Sequence, residues 1–352
     1  MVGILDTGKP GKTIGLRADI DALPVRERVD VPFASKVETE YLGTKVGVMH
    51  ACGHDSHIAI LMGAATTLTS LKDKLTGKYV FVFQPAEEGA PPGEEGGAEL
   101  MVKEGLIDNY GIDIFFGLHI RSSLDVGKIM YKPRGLLAAS DRFVITVHGK
   151  QSHGSRPWGG VDPITVSAQI ILGLQTIISR QTELTKEPAV ISIGKISSGV
   201  RNNIIPEKAE MIGTIRTLDT SMQRIIHEKI VKTATAIAES AGAEAIVDIQ
   251  TGYPVTYNDP QLSADVLPIL EEVIGTDNII VTRPITGAED FSFFAREVPG
   301  FFFFLGAKPL DVHPLDATQH HTPDFYLDES GFKHGVRAMC RLAVDYGSAP
   351  GK

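Results

Sequence analysis

Short runs of β-branched and aromatic residues alternate along the chain with longer stretches in which apolar positions recur every three or four residues. That alternation predicts an α/β layer architecture with a largely parallel sheet. Thr13 to Arg17 predicts the first strand, which ends in Ala18-Asp19-Ile20-Asp21. From Ser56 to Leu71 the apolar residues Ile58, Leu61, Met62 and Ala65 follow a helical period. Tyr79 to Phe83 reads as a fully buried strand running into Gln84-Pro85-Ala86-Glu87-Glu88. A short helix near Ala98 to Glu104 is expected next, and then a buried strand, Ile112 to Leu118, that delivers His119 at its end.

From Arg142 the rhythm changes. A strand, a long helix (Asp162 to Arg180), two strands, a second long helix (Ser221 to Ser240) and a last strand follow one another, the βαββαβ order of a split-βαβ or ferredoxin-like unit. Polar, glycine-containing joints near Gly135 and Gly252 bound it. The earlier rhythm then resumes with Ile279 to Val281, a helix through Asp290 to Arg296, the strand Phe301 to Leu305 and a helix from Ser330 to Asp345. The expected organisation is a catalytic domain in two parts, residues 1–134 and 253–352, interrupted by an inserted domain at 135–252.

A length of 352 residues suits two domains, and 43% hydrophobic with 22% charged residues is globular rather than disordered composition. With 34 basic against 43 acidic residues and no basic cluster, a nucleic-acid partner is not expected. No apolar run approaches the roughly 20 residues that span a bilayer, so no membrane partner is expected either. Two cysteines, Cys52 and Cys340, make no disulfide framework.

Open α/β sheets bind ligands beyond the carboxyl ends of their strands. Asp19, the pair Glu87-Glu88, and His119 fall at such ends, with Cys52-Gly53-His54-Asp55 just before a helix and His320-His321 in the loop after the Phe301 strand. Thiolate, imidazole and carboxylate are the ligand types of zinc, and catalytic sites gather them from separated segments. A structural site would instead collect close-spaced cysteine pairs. On an extended backbone the adjacent glutamates would point opposite ways, one to metal and one to its water.

At these residues the sequence resembles the zinc-dependent amidohydrolases that include indole-3-acetyl-amino acid hydrolase, hippurate hydrolase and N-acyl-amino acid deacetylases. The matching strings are GLRADIDALP (Gly15 to Pro24), MHACGHDSH (Met49 to His57), FQPAEEGA (Phe83 to Ala90) and GLHI (Gly117 to Ile120). They continue with QSHGSRPWGGVDPI (Gln151 to Ile164), NNIIPEKAEMIGTIR (Asn202 to Arg216), TGAEDFSFF (Thr286 to Phe294) and HTPDF (His321 to Phe325). The resemblance implies two divalent metal ions, Zn2+ or Mn2+, held by Cys52, His54, Glu88, His119 and His321, with Glu87 as general base. It implies that Asp19 and His50 brace those ligands, and that His153, Asn203 and Arg216 contact the scissile carbonyl or the substrate carboxylate. The inserted domain is implied to be a lid through which a homodimer forms.

Arg17-Ala18-Asp19 stands where related di-zinc carboxypeptidases have His-x-Asp, and Cys52 stands near their bridging carboxylate. The family also carries several dozen residues before the strand that begins here at Thr13, so a shortened N-terminal segment is expected. Hydrolysis of a small-molecule N-acyl amino acid in the cytoplasm is the expected function. A dipeptidase or carboxypeptidase, or a non-catalytic binding module, are the alternatives.

Overall fold

The computed structural model describes residues 1–91 and 93–347; Pro92 and residues 348–352, the end of the expected last segment, lie outside the described residues. The chain forms two compact units, one of Met1–Arg134, Tyr257–Arg283 and Asp290–Lys352, the other of Gly135–Thr256 and Pro284–Glu289.

The first unit opens with β1 (Val2–Asp6) and β2 (Thr13–Asp19). They are followed by α1 (His54–Ser70), β3 (Lys78–Gln84), α2 (Gly97–Lys103), β4 (Ile114–Asp125) and β5 (Ile129–Tyr131). The second unit holds β6 (Ala139–His148), α3 (Pro163–Gln181), β7 (Ala189–Ser198), β8 (Lys208–Thr217), α4 (Thr220–Ser240) and β9 (Glu244–Tyr253). The chain then returns to the first unit with α5 (Pro260–Ile274), β10 (Ile279–Val281), α6 (Phe291–Glu297), β11 (Gly300–Lys308) and α7 (Phe332–Arg341).

In the first unit seven strands form one sheet in the order β1-β3-β2-β4-β11-β5-β10. The pairs β3-β2, β2-β4, β4-β11 and β5-β10 are parallel, whereas β1 on β3 and β5 on β11 are antiparallel. The run Phe301 to Leu305 shows why the centre reads as unbroken hydrophobic sequence: both faces are covered. Phe301, Phe303 and Leu305 enter a core with Ile60, Leu61 and Leu68 of α1, Leu262, Val266 and Leu270 of α5, and Met339 of α7. Phe302 turns the other way and meets Phe291 of α6 at 5.1 Å between ring centroids, while Phe115 stacks on Phe294 at 4.5 Å. Truncating one such ring to alanine would cost about 3–5 kcal/mol.

Several elements differ from the sequence expectation. Val2–Asp6 is a strand, because the edge of β3 supplies its partner. The β4 strand runs on to Asp125, so His119 lies within the strand rather than at its end. The α5 helix was not anticipated; Pro268 sits inside it and breaks its pattern. Glu87 and Glu88 occupy a turn, not extended backbone. Pro85 follows the last residue of β3, and Ala86 then takes a left-handed φ of 57°.

The second unit is a four-stranded antiparallel sheet in the order β7-β8-β6-β9. Phe143, Ile145, Val147, Met211 and Ile215 of that sheet pack with Ile170, Leu174 and Ile177 of α3 and Ile226 and Ile230 of α4. Both helices start at aspartate caps. The Asp162 side chain accepts the Ile164 and Thr165 amides, and Asp219 accepts the Met222 amide at 2.9 Å.

Candidate metal centre

Cys52, Gly53 and His54 turn the chain into α1. Gly53 caps that helix at φ 86°, and a Cβ on it would stand 2.4 Å from Ile120 Cγ2. Only glycine allows the loop to lie this close to β4 with a left-handed backbone. The donor atoms of Cys52, His54 and His119 consequently fall within 4.8 Å of one another, and so do those of Cys52, Glu88 and His321. A third such group is His54, Glu87 and Glu88. Cys52 belongs to the first two groups, so its sulfur lies between two sets of donors.

His54 and His119 each present one nitrogen inward and anchor the other. His54 Nδ1 lies 3.1 Å from the Asp21 carbonyl oxygen and 3.2 Å from Asp21 Oδ1. Its buried Nε2 has no hydrogen-bond partner. His119 bonds through Nδ1 to the Ile120 carbonyl at 2.6 Å and turns Nε2 to within 3.4 Å of Cys52 Sγ. His321 Nε2 is 3.3 Å from Cys52 Sγ and 2.7 Å from Glu88 Oε1. Anchoring one ring nitrogen fixes the tautomer and aims the other, the usual support for metal-binding imidazoles.

The electrostatics suit a bound cation. Burial, reinforced by Glu88 and Glu87, pushes the Cys52 thiol far above its ordinary range. Burial and the neighbouring His57 hold His119 well below its ordinary value, so it is neutral. Burial opposes charge on His54, but the Asp19 and Asp21 carboxylates outweigh it and raise this imidazole to about 9. An orphaned, proton-seeking nitrogen beside a thiol held protonated by burial and carboxylates fits a site built around a bound cation.

Of the residues expected to brace the ligands, His50 bonds through Nδ1 to the Asp21 carbonyl oxygen at 3.0 Å. Asp19 hydrogen-bonds His57 and receives Arg17 Nη1 at 2.9 Å. Burial opposes charge on Asp19, yet Arg17, His57 and His54 hold its carboxyl well below the usual range. Arg17 also meets Asp290 Oδ1 at 2.9 Å, and Asp290 accepts Gln84 Nε2 and the Ala98 amide, each at 2.7 Å. Burial outweighs Arg17 at that carboxyl and raises it to about 6.

Three residues of this neighbourhood were given no site role from the sequence, Arg17, Asp21 and His57, and His320 was considered only as the neighbour of His321. His57 lies about one turn beyond His54 on α1, but both its nitrogens are occupied. Nδ1 meets Asp19, and Nε2 accepts the Ile120 amide at 2.8 Å. Asp21 carried a readable signal, as a second carboxylate two residues beyond Asp19.

His153, Asn203 and Arg216 belong to the second unit. A two-residue bridge pairs Ser152 and His153 with Ile205 and Ile204, and the Gly154 amide donates to the Asn203 carbonyl at 2.9 Å, so His153 and Asn203 are neighbours. His153 Nδ1 accepts the Ser155 amide at 3.1 Å. Arg216 lies on β8, its Nη1 donating to Thr214 Oγ1 and, at 3.1 Å, to the Ile215 carbonyl.

Comparison with known proteins agrees with this architecture. The chain is 41% identical over 350 residues to thermostable carboxypeptidase 2 of Saccharolobus solfataricus, covering 98% of this chain and 84% of the relative. It is 36% identical over 320 residues to N-acetyl-L-cysteine deacetylase of Bacillus subtilis, covering 91% and 71%. The crystal structure of the Bacillus subtilis YXEP protein, described as a dinuclear metal-binding peptidase of the M20 family, superposes with a TM-score of 0.80 at 32% identity, covering 98% of this chain and 84% of that one. Residues 15–345 match the description "Peptidase family M20/M25/M40", and because that match covers nearly the whole chain, from within β2 to beyond α7, the chain belongs to this family of hydrolases and amidohydrolases.

Proposed function

We propose that this protein is a metal-dependent amidohydrolase that cleaves the amide of N-acyl amino acids of acetyl, benzoyl or indoleacetyl type to a carboxylic acid and a free amino acid. The observation that carries the reading is Cys52 shared between two donor groups, with Glu87 in a third group beside Glu88. Cys52, His54, Glu88, His119 and His321 would hold two divalent ions, Asp19 and His50 bracing them. Thiolate favours zinc, and the remaining donors also suit manganese. When bound, such ions acidify water and polarise a carbonyl.

Glu87 accepts a proton from the attacking water and returns it to the leaving nitrogen as the carbon–nitrogen bond breaks and a carbon–oxygen bond forms. His153 donates to the developing oxyanion, and Asn203 and Arg216 bind the carbonyl and the substrate carboxylate. The segment 135–252 is proposed as a ferredoxin-like lid and dimerisation domain. The working protein is then a homodimer acting on small molecules in the cytoplasm, without nucleic-acid or membrane partners. Among the described residues no helix is long and apolar enough to cross a membrane.

Turnover of a panel of acetyl, benzoyl and indoleacetyl amino acids beside dipeptides and longer peptides tests the proposal. Preference for the acylated amino acids supports it. Preference for peptides supports carboxypeptidase or dipeptidase activity, the second reading, which the 41% identical carboxypeptidase favours. No turnover by fully metal-loaded protein would leave a binding module.

A further inference from the structure

Two consecutive histidines reach the same sulfur. His320 Nδ1 lies 3.5 Å and His321 Nε2 3.3 Å from Cys52 Sγ. His321 has a left-handed backbone, φ 63°, and its amide is tied to the Ala51 carbonyl at 2.8 Å. Such a conformation is uncommon outside glycine and is a strain that structures keep where a site needs it. Here it accompanies two neighbouring rings converging on one atom.

The two rings differ in everything else they touch. His321 also meets Glu88 and so belongs to a donor group. His320 Nε2 accepts the Ser122 amide of β4 at 3.3 Å, and Ser122 Oγ donates to the Thr318 carbonyl at 2.6 Å, fixing the 318–321 loop onto that strand. The His320 ring is packed 4.8 Å from Phe325 and 5.5 Å from His119 between centroids. An imidazole nitrogen that accepts an amide proton carries none, so the proton of this ring sits on Nδ1, the atom facing the sulfur.

We infer that His320 is a positioning residue that donates its Nδ1–H to the Cys52 sulfur and tempers it as a metal ligand without binding metal itself. The inference rests on the metal-centre reading, in which the Cys52 sulfur is a metal ligand. Hydrogen bonds to a ligating sulfur withdraw charge from it and change the electronic properties of the metal. An imidazole held on both sides also keeps the sulfur from turning away when one metal site is empty.

The test uses the full chain loaded with cobalt(II), whose sulfur-to-cobalt charge-transfer band reports how strongly the sulfur donates. His320→Phe, which keeps a flat ring against Phe325, should retain the wild-type cobalt content and shift the band to lower energy. His320→Asn, whose amide N–H can reach the sulfur, should move it back toward the wild-type position. Loss of cobalt from His320→Phe would make His320 a ligand, and an unchanged band at full cobalt content would mean that no N–H···S bond exists; either overturns the inference. Ring 15N spectra of the zinc-loaded wild type require no variant, with a protonated Nδ1 and a bare Nε2 expected at His320. The opposite tautomer overturns the inference even if both variants fail to fold. A wild type that binds no cobalt overturns the metal centre itself, an outcome distinct from metal bound without this hydrogen bond.

Discussion

His54 Nδ1 lies 3.2 Å from Asp21 Oδ1, and the other oxygen of the same carboxylate accepts the Glu88 amide N–H at 3.0 Å. One aspartate therefore aims an imidazole at the start of α1 and fixes the turn after β3. Removing its side chain should loosen both. Asp21→Ala is expected to lower metal affinity about 10–100-fold, the usual cost of losing a partner behind a ligand. Chelator competition measures this, and unchanged affinity would remove Asp21 from the centre.

The adjacent glutamates should separate by experiment. Glu87→Gln is expected to keep its metal and lose on the order of 10² to 10⁴ in kcat, the span of general acid–base catalysis. Glu88→Gln should lose metal first. Metal analysis and initial rates on the two variants decide the matter, and the reverse pattern would exchange their roles.

A stability prediction concerns the second unit. Burial opposes charge on Asp219, but the Ser221 hydroxyl, Lys186 and the Met222 amide outweigh it and lower its carboxyl to about 2. A carboxyl depressed in the folded state adds stability above its unfolded value, near 4, and loses it as pH falls through the folded value. Asp219→Ala should cost about 1 kcal/mol at neutral pH as a lost helix cap. The gap between variant and wild type in urea unfolding should narrow as pH falls from about 4 toward about 2. A gap independent of pH would mean that the carboxylate charge contributes nothing.

If His153 serves the partner subunit's centre, two inactive variants should rescue each other. Subunit exchange between His153→Ala and Glu87→Gln leaves one intact site in each mixed dimer, restoring up to about a quarter of wild-type activity under random pairing. Exchanged samples that stay inactive, although each parent dimerises and binds metal, would end the shared-site proposal.

What the sequence disclosed and withheld follows from the range of the forces involved. The donor residues were legible because each sits in a short string with its own local setting, such as Gly53 between Cys52 and His54. His57 shows the limit: it lies about one turn beyond His54, and only the Asp19 side chain and the Ile120 amide, both distant in sequence, occupy its nitrogens. The strand Val2–Asp6 was missed because its pairing partner lies some 75 residues away, at Lys78 to Val82. The α5 helix was missed for the opposite reason. Pro268 is a local signal against a helix, and the burial of Leu262, Val266 and Leu270 overrides it.

The Cys52 sulfur and the His321 nitrogen meet across 269 residues of chain, with the whole of the second folding unit between them in sequence. At a synthesis rate of about 5–20 residues per second, the thiol leaves the ribosome roughly 13 to 54 s before the imidazole that will face it. During that interval the donor group of Cys52, Glu88 and His321 cannot exist, and the sulfur can serve only the group it makes with His54 and His119. Whether the nascent thiol survives is then a race between translation of those 269 residues and the oxidants around it.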